Sequence, residues 1–304
     1  MSSDSSGTDI LDTYKQISNK LKKRFLRKPN VTEACDSFTS LGQHCENIEM
    51  PSYAGMCWIA AARCEGSLGN IPGETSCLIR SARNFMSAQI KNKSLGCQSI
   101  ATENLQAALG CYAHAQTRLP DNCALMTGIN LEVVNSLEQL GDVSTSEMYL
   151  KDAVDLSQNS LQRRVYCLEL LASNAIERSD YSTALDSYTQ ITDLLKPLTQ
   201  NGARSDILLN CEISQTLLLL ILRPPAQKLA PHFAKLLEKF TWGDKNDPII
   251  KSFMSENLFL LLQSLVITCQ TCDKSNLSYL EGELWKYLNV DQKSLLRTLV
   301  LIYL

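Results

Sequence analysis

What most constrains this chain is its rhythm. Apolar residues recur at three- and four-residue spacing in stretches closed by short breakers, and runs of alternating β-branched residues between turn dipeptides are nearly absent. Ile10, Tyr14, Ile17, Leu21 and Phe25 form one such stripe. Asp9 stands where a cap is needed, and Asp12 is at the third position after it. Pro29 stops that segment, and Asn30 with Glu33 makes a capping-box pattern for the next. The same scheme repeats along the chain. The breakers are Pro51, the stretch 69–73, Pro120, Gly141-Asp142, Ser179-Asp180, Asn201-Gly202, Pro224-Pro225, the stretch 243–248 and Asn289. The expected fold class is all-α, with no sheet and more than ten helices.

A series of helical hairpins of fixed period would mean a solenoid. The best unit runs from Val165 to Pro197, with Leu168, Leu171, Ala172 and Ala175, a Ser179-Asp180 turn, then Tyr181, Ala184, Tyr188 and Ile191. These offsets fit a tetratricopeptide-like hairpin, in which small residues admit a close helix approach and aromatic residues fill the space to the next pair. A weaker unit precedes it: Val133, Val134 and Leu137, a Gly141-Asp142 turn, then Ser146, Leu150 and Ala153. Trp58, Ala61 and Ala62 open a more degenerate one. The expectation is a tetratricopeptide-like α-solenoid of stacked antiparallel hairpins, about seven pairs in a right-handed stack, with irregular caps at both ends. Residues 1–8 read as a disordered tail and 9–304 as a single solenoid domain. Within it, 9–203 carry the repeats, and 204–304 are leucine-rich helices buried on more than one face, ILLNCEISQTLLLLIL, APHFAKLLEKF, ENLFLLLQSLV and SLLRTLVLIYL among them.

Composition narrows the functional classes. The chain has 304 residues, 44% hydrophobic, enough for a large core. MSSDSSGTD has no basic region leading into an apolar one, so secretion is not expected. The run LLLLIL, Leu217 to Leu222, falls far short of the roughly 20 residues of a membrane span. The expected compartment is the cytoplasm, where the twelve cysteines are reduced and serve as small buried hydrophobes. Of the three histidines, His44, His114 and His232, none has a carboxylate or cysteine at catalytic or metal-ligand spacing. Cys269 and Cys272 form a lone CxxC where a structural zinc site needs four ligands. No phosphate-binding glycine motif occurs. The reading is therefore of a non-enzyme with no metal and no cofactor.

The remaining feature is charge. Between Lys20 and Lys28, six of nine residues are basic; with +6 here and −3 for the whole chain, the remainder carries −9. Cations near a helix C-terminus oppose the macrodipole, an effect of about 0.3–1 kcal/mol each, which does not account for so many beside an apolar Phe25. A nuclear-import signal, an anionic-membrane helix, RNA binding and docking on an acidic protein surface are the alternatives to a solvated face. Nucleic acid fits worst, because the rest of the chain is acidic and no aromatic-basic platform recurs. Lys20, Lys22, Lys23, Arg24, Phe25, Arg27 and Lys28 are the candidate partner-binding residues, facing either a protein partner or the acidic body of the same molecule.

Four segments carry a family resemblance: SNKLKKRFLRKPN (Ser18 to Asn30), LLLLILRPPAQKL (Leu217 to Leu229), LEKFTW (Leu237 to Trp242) and ENLFLLLQSLV (Glu256 to Val266). In order and content they resemble the huntingtin-associated protein 40 family, also called the factor VIII intron 22 protein family, as an invertebrate-type member. The alanine/glycine-rich start of the vertebrate pattern is missing, and its long proline-rich insertion is reduced to a short loop around Pro197 to Ser205. The resemblance implies an α-solenoid that binds huntingtin between its HEAT-repeat domains and helps hold them together. It also implies a link to an early-endosomal Rab GTPase and vesicle movement, and a presence in cytoplasm and nucleus. The second functional class is a free-standing Rab effector or trafficking adaptor.

Overall fold

A computed structural model of the chain describes residues 4–22, 30–97, 102–121, 123–197, 202–225, 227, 229–243 and 254–303. Among these residues there are fourteen helices and no strand. The chain is all-α. The helices are α1 (Asp4–Leu21), α2 (Val31–Asn47), α3 (Pro51–Ser67), α4 (Ile71–Ser94), α5 (Glu103–Thr117), α6 (Ala124–Gln139), α7 (Val143–Leu156), α8 (Leu161–Glu177), α9 (Tyr181–Leu195), α10 (Gly202–Leu222), α11 (Pro231–Trp242), α12 (Glu256–Thr271), α13 (Lys274–Leu284) and α14 (Val290–Tyr303).

One joint recurs along the chain. Among the described residues seven helices end at a residue in the left-handed region: Arg223, after which Pro224 has no N–H to give, and Glu49, Gly69, Gly96, Gly141, Ser179 and Cys272. The next N–H then reaches back five residues, as in Met50 to Cys45, Asn70 to Glu65, Asp142 to Leu137, Asp180 to Ala175 and Asp273 to Thr268. This closure satisfies carbonyls that the helix end leaves open. At three of these joints the same residue also caps the following helix. The Asn70 side chain accepts from the Gly73 N–H, Asp180 from Thr183, and Asp273 from Ser275 and Asn276. A chain that ends one helix and caps the next within two or three residues must reverse direction, so neighbouring helices pack antiparallel.

The described residues form two compact units, Met1–Asp142 and Val143–Leu304. In the first, α1 packs on α2, α2 on α3, α3 on α4 and α4 on α5, with α6 against α4 and α5. The α3 stripe is small: Ala54, Gly55, Cys57, Ala60, Ala61, Ala62 and Cys64 are all buried around Trp58. A Cβ on Gly55 would sit 2.8 Å from the Phe85 ring, and Ser81 Oγ donates to the Gly55 carbonyl at 2.8 Å. This is a close helix approach that only glycine allows.

In the second unit α7, α8, α9 and α10 pack in succession, and α14 returns against α10 and α8. The α8–α9 hairpin is as the sequence spacing predicts. Leu168, Ala172, Ala175, Ala184 and Ile191 have no exposed surface, and Tyr188 is buried beside them. The final helix has the full reciprocal cap. The Asn289 N–H donates to Gln292 Oε1 at 3.1 Å, and the Gln292 N–H to Asn289 Oδ1 at 2.8 Å. The Gln292 amide then bridges to the Asn210 carbonyl and Ser214 Oγ on α10.

Several expectations differ from the structure. Helix α1 begins at Asp4, so residues 4–8, read as tail, are helical, and Asp9 is not its cap. The boundary at 203/204 falls inside the second unit, since α10 packs on α9 and α14 on α8; the weaker repeat of α6 and α7 is divided between the units. Burial on more than one face holds for α10, where Ile213 to Ile221 are buried without interruption. It fails for α11, where only Phe240 is buried, and for α14, which leaves Leu301 and Ile302 exposed. Helix α13 follows a turn at Cys272-Asp273 that no glycine or proline announces. By length and composition α10 could cross a membrane, but 61% of its most apolar window is buried within the protein, as in a core helix.

Candidate partner-binding surface

The basic stretch begins at the end of α1. Lys20 is in its last turn and Lys22 just beyond, both exposed. Lys20 Nζ lies 3.5 Å from Glu33 Oε1, with the two side chains 62% and 60% exposed. An ion pair so open to water stabilises by under about 1 kcal/mol. Lys20 therefore remains free to meet a partner. Glu33 belongs to the start of α2, where its N–H donates to the capping Asn30 Oδ1 at 3.2 Å. Lys23, Arg24, Phe25, Arg27 and Lys28 lie outside the described residues.

A second surface, not singled out by periodicity, is built in the first unit. Residues of α2, α4, the end of α5 and the start of α6 line an open groove of about 1090 Å³. Its apolar lining is Ile71, Pro72, Ile79, Leu119, Pro120 and Leu125, of which Ile71 and Leu125 are 52% and 48% exposed. Its cations are Arg80, Arg83 and Arg118. Pro72, Ser76, Ile79, Arg80 and Arg83 recur at three- and four-residue spacing on α4, on a face apart from buried Leu78, Ala82 and Phe85. That second stripe is the signal by which the sequence could have shown the groove.

Each arginine is held by a carboxylate from another part of the unit. Arg80 Nη2 and Nε meet Glu46 at 2.6 and 3.0 Å, and its guanidinium stacks over Trp58 at 4.2 Å. Glu46 also accepts from Trp58 Nε1 at 2.9 Å and Asn84 Nδ2 at 2.7 Å. Arg83 forks onto Glu132 at 2.6 and 2.8 Å, and the Tyr112 hydroxyl donates to the same carboxylate at 2.9 Å. Arg118 Nη2 donates to Glu74 Oε1 at 3.1 Å, with Glu74 only 5% exposed. Burial acts to raise the Glu46 carboxyl, but hydrogen bonds from Arg80, Asn84 and Trp58 outweigh it and hold the group below its ordinary value. The Arg83 hydrogen bonds hold Glu132 down likewise, against burial and helped by Tyr112. These are cross-helix ties as well as groove lining, so the wall is fixed before anything binds.

The described residues bring no group of three or more potential metal ligands together. His114 faces Glu74 at 3.6 Å, and His232 packs on Phe233. Eight of the cysteines are buried and none is in a disulfide. Burial pushes the Cys57 and Cys211 thiols up to about 12 and Cys269 to about 11, so they stay protonated at neutral pH. Cys269 faces the core while Cys272 sits exposed at the helix end.

Helical hairpins closed by the recurring left-handed joint, with a solvent-open groove of apolar and arginine side chains, define an all-α helical-hairpin protein. No family model matches the chain. It is similar to the 40-kDa huntingtin-associated protein of Mus musculus, 32% identical over 347 residues that cover 95% of this chain and 91% of that protein. The protein of the same name from Rattus norvegicus is 31% identical with the same coverage. The chain belongs to the 40-kDa huntingtin-associated protein family. The 347 aligned positions exceed its 304 residues, so the relatives carry segments that this chain lacks.

Proposed function

We propose that this chain is a non-enzymatic binding partner of huntingtin, docking between the HEAT-repeat domains of that protein and stabilising the assembly, with a role in early-endosome and vesicle traffic. The observation that carries this reading is the similarity to relatives named for huntingtin association, which extends over 95% of the chain rather than over one hairpin. The cytoplasm, with nuclear and early-endosomal pools, is the proposed location.

Purification of the tagged chain from cells of its own species, followed by mass spectrometry, tests it. The expected result is near-stoichiometric recovery of huntingtin. Recovery of an early-endosomal Rab GTPase with no huntingtin would overturn this reading in favour of a free-standing trafficking adaptor. Imaging of the tagged chain beside an endosomal marker checks the location.

A further inference from the structure

We propose that the groove walled by α2, α4 and α6 receives an acidic, amphipathic helical segment of the protein partner, with its apolar residues on Ile71, Ile79 and Leu125 and its carboxylates toward Arg80, Arg83 and Arg118. That the partner is huntingtin rests on the reading above; the chemistry of the groove does not.

Size comes first. Small-molecule sites run to about 300–1,000 Å³ and enclose most of their ligand. This groove, at about 1090 Å³, lies just above that range and is open to solvent. Its apolar residues come from three separate elements: Ile71 and Ile79 from α4, Leu119 and Pro120 after α5, and Leu125 from α6. A row of apolar anchors spread along an open channel suits a helix laid along it, which offers side chains at three- and four-residue spacing.

Charge then selects among such helices. Three arginines line the groove against one acidic residue, Glu46. Glu46 already accepts from Arg80, Asn84 and Trp58. Glu132 and Glu74, which hold Arg83 and Arg118, are not among the lining residues. The three pairs balance in charge, but the guanidinium groups face the groove while their carboxylates are less exposed behind them, at 45, 61 and 44% against 23, 30 and 6%. A guanidinium has five donors and the pairs to Glu46 and Glu132 use Nε and Nη2, so each arginine has donors left for a second carboxylate. Because those pairs already fix the side chains, little ordering cost remains on binding. A basic segment, the chain's own Lys20 to Lys28 stretch included, would bring donors and no acceptor to the remaining guanidinium N–H groups.

The test uses the full chain. Benzoylphenylalanine in place of Leu125 is photolysed in cells of the chain's own species, and the crosslinked peptide is sequenced. In parallel, Leu125→Glu and Leu125→Lys are compared for affinity to the captured protein; both are changes at a half-exposed position, checked for intact helix content. The expected peptide has acidic residues flanking apolar ones at helical spacing. Leu125→Glu should weaken binding at least ~10-fold more than Leu125→Lys, the gap closing as salt rises. A crosslink to a second copy of the chain, to lipid, or to a neutral or basic segment overturns the proposal, as does equal loss in the two variants or no crosslink. If Leu125→Glu keeps full affinity for huntingtin, the groove proposal falls and the huntingtin reading stands. An acidic segment captured from another protein, with no huntingtin on the wild-type chain, does the reverse.

Discussion

Helices α3 and α10 fill the same role, a central helix packed on both sides, with opposite materials. In α3 the buried side chains are alanine, glycine and cysteine around a single Trp58; in α10 they include Leu208, Ile213, Leu217, Leu218, Leu219, Leu220 and Ile221. Small side chains let backbones approach closely but remove little apolar area each, at roughly 25 cal/mol per Å². The first unit accordingly adds polar ties: Ser81 to the Gly55 carbonyl, Arg80 to Glu46 and Arg83 to Glu132. The second unit has leucines large enough to interdigitate, with ties of its own from Gln292 to Asn210 and Ser214 and from Lys239 to Glu212. One fold class is thus reached with two sets of core side chains, and the small-residue version is the one that carries the groove.

The contrast is sharpest under substitution. Leu217, fully buried in α10, should lose about 2–5 kcal/mol on change to Ala, because a cavity remains that the neighbouring leucines fill only partly. Urea unfolding followed by circular dichroism measures it; a loss below about 1 kcal/mol would mean that the second unit does not depend on volume. In the first unit the sensitive direction is enlargement. Gly55→Ala should cost about 1–3 kcal/mol, since the Phe85 ring at 2.8 Å must move. Ala184→Leu, at the fully buried contact of α8 and α9, should cost about as much and shows whether the small-residue rule also holds locally within the second unit. Unchanged thermal stability of that variant would count against the hairpin assignment.

The joints should respond alike in both units. Asp180→Ala removes the side chain that accepts from the Thr183 N–H at 3.2 Å, for an expected loss of about 0.5–2 kcal/mol. Asn70→Ala is its counterpart, and a much larger loss at one of them would show that one joint carries strain the other does not. The smallest effect concerns acid. Glu132 is depressed in the folded state, so its contribution is present above the ordinary carboxylate range and is lost as pH falls through the lower folded value. Arg83 is 61% exposed, so the pair contributes under about 1 kcal/mol. Glu132→Gln should flatten the acid limb of stability by that amount and leave stability at pH 7 to 8 nearly parallel to wild type.

Much of this was legible in the residues. Cap, stripe and breaker gave most of the helices; the spacing of Ala172, Ala175 and Ala184 located the α8–α9 hairpin; Asn289 marked the break before the last helix. What escaped has physical reasons. The turn at Cys272-Asp273 uses a non-glycine residue in the left-handed region, as does Glu49, so composition alone does not mark it. The division at Asp142 depends on which helices pack, not on any linker signature. In α11 a leucine-rich sequence promised burial, but among the described residues only Phe240 attains it. The groove escaped because the second stripe on α4 is mixed, with Pro72, Ile79, Arg80 and Arg83 together, and reads as a solvated face until Leu119 to Leu125 fold beside it. Of the basic candidates, Lys20 and Lys22 are exposed as a docking role requires, and the other five lie outside the described residues.

The account's central claim is that this chain engages huntingtin through the groove of its first unit. Amide hydrogen exchange of the full chain, alone and bound to huntingtin, tests it most directly. The account predicts that protection rises on binding along Ile71 to Asn84 and at the start of α6 around Leu125. Protection that is unchanged there, and gained only within Gly202 to Tyr303, would contradict it.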